Sequence, residues 1–217
     1  MTLIFLLEVA IVKLTKIYGS GKHTEDFITF EADADILLHN YDEYEKYVKG
    51  CEAMVRGDDR YKACISRYRA AGFDHCAILG NVIKKGGDKI RLEMHHGPIF
   101  NLFDICDIAL KASLLRGNIQ NLTTFDIADL VLTEHELDNI MVVFLSKTPH
   151  KGAHFNIFID VKATVGRIDR FIDRWHDGME DEHYEYIDRY LEACKNAEGN
   201  TTDNGLFETA EQLKKFK

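Results

Sequence analysis

Three times in this chain a residue type that caps helices stands directly before an apolar stripe at helical spacing. That repeated pattern constrains the fold more than any other feature. Asn40 precedes a stretch with an acid at its third position, Glu43, and with Tyr44, Tyr47, Val48, Cys51, Met54 and Val55 on one face. Gly57-Asp58-Asp59 breaks that helix, and a second one, with Tyr61, Cys64, Ile65 and Tyr68 on one side, ends near Gly72. Asn101 stands before Leu102, Ile105, Cys106, Ala109 and Leu115, and Thr123 before Ile127, Leu130, Val131 and Leu137. From Val161, the positions Val165, Ile168, Phe171, Ile172 and Trp175 make a helix that ends near Gly178, and another covers 181–196. The chain has only 2 prolines, so hard helix stops are few.

Strand patterns are scarcer. Residues 76–83 read as a strand and Lys84–Asp88 as a turn. After the turn, Ile90, Leu92 and Met94 alternate with Arg91, Glu93 and His95 up to Pro98. This predicts a hairpin whose second strand ends on His95-His96. Ile140–Leu145 is an unbroken apolar run, expected to be a buried strand. The N-terminal run MTLIFLLEVAIVKL is interrupted by Glu8, has no basic start and is too short for a bilayer, so it too is expected to be buried. The expectation is a soluble α+β protein, mostly helical with a small β-hairpin core.

The net charge of −9 excludes a uniformly basic nucleic-acid coat and general attraction to anionic membranes. Charge is nevertheless uneven. Residues 61–91 carry Lys62, Arg67, Arg69, Lys84, Lys85, Lys89 and Arg91 against Asp74 and Asp88 only, a basic stretch inside an acidic chain. The 5 cysteines include no CxxC pair, which points to free thiols in a reducing cytoplasm rather than a disulfide framework or zinc ribbon. Gly19–Thr24 (GSGKHT) looks like part of a phosphate loop, but Lys16 stands where the first glycine is needed, so it reads as a turn.

Two histidine patterns carry possible chemistry. Adjacent His95 and His96 at a strand end point to opposite sides, so one can hold a metal while the other takes a proton. His150 and His154, at i and i+4, put two imidazoles on one face of a helical turn. Each pattern alone also fits surface or capping histidines. Three imidazoles on one ion would leave positions open for water and a phosphate oxygen. Glu134-His135 reads first as a solvated helix end, and alternatively as support or an extra ligand behind such a centre.

The constellation LEMHHGP (Leu92–Pro98) followed by FLSKTPHKGAH (Phe144–His154) resembles the HNH, or His-Me finger, endonucleases. The resemblance covers about residues 88–158, and the vocabulary is also similar to that of bacteriophage proteins. It implies a ββα-metal core holding one divalent ion (Zn, Mg, Mn or Ni), with His95, His150 and His154 as ligands and His96 as general base. Asn139 is its candidate for the asparagine that orients the base. Lys84, Lys85, Lys89, Arg91, Lys147 and Lys151 would hold phosphates of a nucleic acid, with DNA the expected substrate. The implied organisation is an N-terminal region (1–87), a metal core (88–160) with a helical insertion (99–138), and C-terminal helices (161–217). The expected function is metal-dependent phosphodiester hydrolysis in the cytoplasm of a phage host, with no membrane partner. The competing expectation is a metal-stabilised, non-catalytic phage protein that binds or inhibits a protein partner. A phosphodiesterase acting on nucleotides is a further one.

Overall fold

The structure is a computed structural model of the chain, and it describes residues 13–18, 28–33, 40–81, 87, 90–117, 121–147, 159 and 163–196. The N-terminal apolar run before Lys13, the Gly19–Thr24 turn, Lys84, Lys85, Lys89, His150, Lys151 and His154 lie outside the described residues.

Local capping chemistry sets the helix starts. Helix α1 (Tyr41–Gly57) begins at Asn40, whose side chain accepts from the Glu43 N–H. Asp58 serves two helices. Its N–H donates to the Met54 and Val55 carbonyls at the end of α1, and its carboxylate accepts from the Arg60 N–H at 2.7 Å to start α2 (Asp59–Ala70). Helices α3 (Leu102–Leu115) and α4 (Thr124–Glu136) carry complete capping boxes, Asn101 with Asp104 and Thr123 with Asp126. Helix α5 (Ile168–Trp175) runs into a 3₁₀ turn (His176–Gly178), and α6 (Asp181–Asn196) follows.

Two small sheets accompany the helices. Strand β1 (Lys13–Tyr18) pairs antiparallel with β2 (Ile28–Asp33) and parallel with β4 (Asn121–Thr123). Strand β3 (Leu92–His96) pairs antiparallel with β5 (Val142–Ser146), with Leu92 opposite Ser146 and His96 opposite Val142. The chain is therefore α+β and mainly helical.

One apolar cluster joins the helices, including Val48 and Cys51 of α1, Ile105 and Ile108 of α3, Ile127 and Val131 of α4, and Phe171 and Trp175 of α5. Each such side chain contributes about 1.5–3 kcal/mol on burial. Residues 99–138 thus share their core with helices on both sides. Met94, Val142 and Phe144 face that core, whereas Val143 and Leu145 join Cys76 and Ile159 in a small cluster on the other face of the β3–β5 sheet.

Four local expectations change. Residues 76–80, expected to begin a strand, close a tight turn instead, with a Cys76–Gly80 bridge and Ala77 donating to the Phe144 carbonyl; among the described residues β3 pairs with β5, and residues 82–86 of the expected hairpin lie outside them. Leu115 and Leu137, expected inside, are exposed because both fall at the last turn of their helices, beyond the packed face. The helix expected from Val161 starts at Ile168, because Val165 is taken up in a bridge to Val142. Glu134 and His135, expected on a solvated helix end, are fully inside.

Candidate functional site

The end of β3 and the last turn of α4 meet in the interior. His96 leaves the strand on the face shared with Met94 and reaches toward α4. Its Nε2 lies 3.1 Å from Nε2 of His135, a hydrogen-bond distance. The rings are nearly perpendicular, with centroids 5.1 Å apart. Tyr61 of α2 covers both: it stacks on His96 at 5.9 Å and meets His135 edge-on at 5.4 Å. His96 is 3% exposed and His135 0%.

Burial pushes His135 down from the ordinary histidine value to about 3, and the positive charges of Arg56 and Arg67 act in the same direction. His135 is therefore neutral at pH 7. Its Nδ1 has no hydrogen-bond partner among the described residues.

Beside it, Glu134 anchors a second set of contacts. One carboxylate oxygen accepts from Arg174 Nη1 at 2.6 Å and from Trp175 Nε1 at 3.1 Å. The other accepts from Asn139 Nδ2 at 2.6 Å. The backbone brings Asn139 there. Helix α4 ends in a Schellman turn, with the Asn139 N–H donating to the Glu134 carbonyl and the Asp138 N–H to that of His135. Asp138 takes the left-handed conformation, φ 56°. Arg67 and Tyr68 of α2 hold it there by donating to its carboxylate at 2.5 and 2.7 Å, and Arg67 also donates to the His135 and Glu136 carbonyls.

The structure thus brings together His96, Glu134, His135 and Asn139, all singled out in the sequence, and adds Tyr61, Arg174 and Trp175, which were not. No spacing rule links those three to the rest, because they arrive from other helices. His95, opposite Val143, lies by strand alternation on the face away from His135. Arg91 and Lys147 are exposed at the Leu92–Ser146 end of the sheet. Four residues of strand, ~13 Å, separate that end from His96.

Among the described residues no group of three or more His, Cys, Asp or Glu converges on one point.

The family profile described as Bacteriophage G278-like virion protein matches residues 13–215, nearly the whole chain. The chain belongs to the G278-like virion protein family. Comparison with curated proteins and with solved structures finds no match to it. For this virion-family protein the phage connection stands, and the family description names no nuclease. Among its described residues no helix is long and apolar enough to cross a membrane.

Proposed function

We propose that this virion-family protein works as a non-catalytic structural component of the phage particle, binding other particle proteins, with the His96–His135–Glu134 cluster as an internal brace. The observation that carries the reading is the state of His96. A general base must face the water it deprotonates, and His96 is enclosed with its Nε2 directed at His135. Two further features agree. The Asn139 amide donates to Glu134, holding the helix end. The described basic residues next to the sheet, Arg91 and Lys147, sit at its opposite end.

Two measurements test this. Mass spectrometry of purified phage particles is expected to find the chain as a particle component; its absence from them would overturn the placement. Purified protein incubated with supercoiled plasmid and Mg²⁺, Mn²⁺, Ni²⁺ or Zn²⁺ is expected to nick no more than a His96→Ala control. Metal-dependent nicking that His96→Ala abolishes would instead establish the endonuclease.

A further inference from the structure

We draw no further inference here: the strongest candidate, the interior side-chain cluster of Tyr44, Asp107, Lys111 and His183 where α1, α3 and α6 meet, makes its hydrogen bonds and ion pairs within the fold, and nothing in the structure shows a ligand or partner that it would hold.

Discussion

Alanine at Gly166 is expected to destabilise the protein by roughly 3–5 kcal/mol. Two penalties add. Gly166 has φ +101°, a conformation that residues with a Cβ rarely adopt. Its added Cβ would also lie 2.0 Å from the Ile140 carbonyl oxygen and 2.7 Å from the carbonyl carbon. Those are backbone atoms, so no rotamer change relieves the clash. The crossing is pinned on both sides, by the paired hydrogen bonds between Val142 and Val165 and by the Arg167 N–H donating to the Asp138 carbonyl at 2.6 Å. Thermal unfolding should show Tm lower by about 10 °C or more. Gly57→Ala is the control: nothing lies within 4 Å of its added Cβ, and it sits in the last turn of α1. It is expected to be neutral or to raise stability by up to ~1 kcal/mol. A Gly166→Ala protein with the Tm of the parent would show that the 138–142 and 165–167 segments do not cross this closely.

Removing the Glu134 carboxylate is expected to cost about 3–5 kcal/mol, the range for uncovering buried polar partners. Glu134→Ala strands Trp175 Nε1 and Asn139 Nδ2, both interior donors, and leaves a cavity at the end of α4. Glu134→Gln keeps one acceptor oxygen but turns an NH₂ toward groups that are themselves donors, so its loss should be smaller and still above ~1 kcal/mol. Arg174→Ala should cost less than Glu134→Ala but more than a surface ion pair does, because the Arg174 side chain is 47% exposed while the Glu134 carboxylate it leaves behind is 2% exposed and keeps only neutral donors. Urea denaturation of the three variants ranks them. If Arg174→Ala proved as damaging as Glu134→Ala, the surface ion pair, and not the buried acceptor, would be what holds α4 to α5.

The expected nuclease site was read from two histidine patterns, and only one of them, at His95-His96, lies among the described residues. For that pair, period-two alternation correctly separates the two side chains: Met94 and Val142 mark the core face on His96's side, Val143 the other. Sequence spacing says nothing about what lies on each face. His96 meets a histidine 39 positions later in the chain, under a tyrosine 35 positions earlier. Glu134-His135 reads as solvated because polar residues at a helix end usually are. Here α2 supplies Arg67 and Tyr68 to cap that end, and α5 supplies Arg174 and Trp175, so both side chains go inside with their partners.

What could be known before folding is local in origin. Asn40, Asn101 and Thr123 each bond a backbone N–H three residues ahead, and the stripes behind them repeat every 3.6 residues, so α1, α3 and α4 are written within single turns of chain. The start of α6 at Asp181 is likewise near where periodicity puts it. Pairing is different in kind. Residues 76–83 and 142–146 were both apolar enough to flank β3, and hydrophobic pattern carries no address for a partner strand. Val142–Ser146 pairs with β3 and is buried on both faces, by the main core and by the Cys76–Ile159 cluster, and the 76–80 segment folds back on itself. The same holds for the His96–His135 contact and the Glu134 brace, whose members come from β3, α2, α4 and its C-terminal turn, and α5: their chemistry exists only once packing excludes water and leaves each buried group the partners that packing happens to bring.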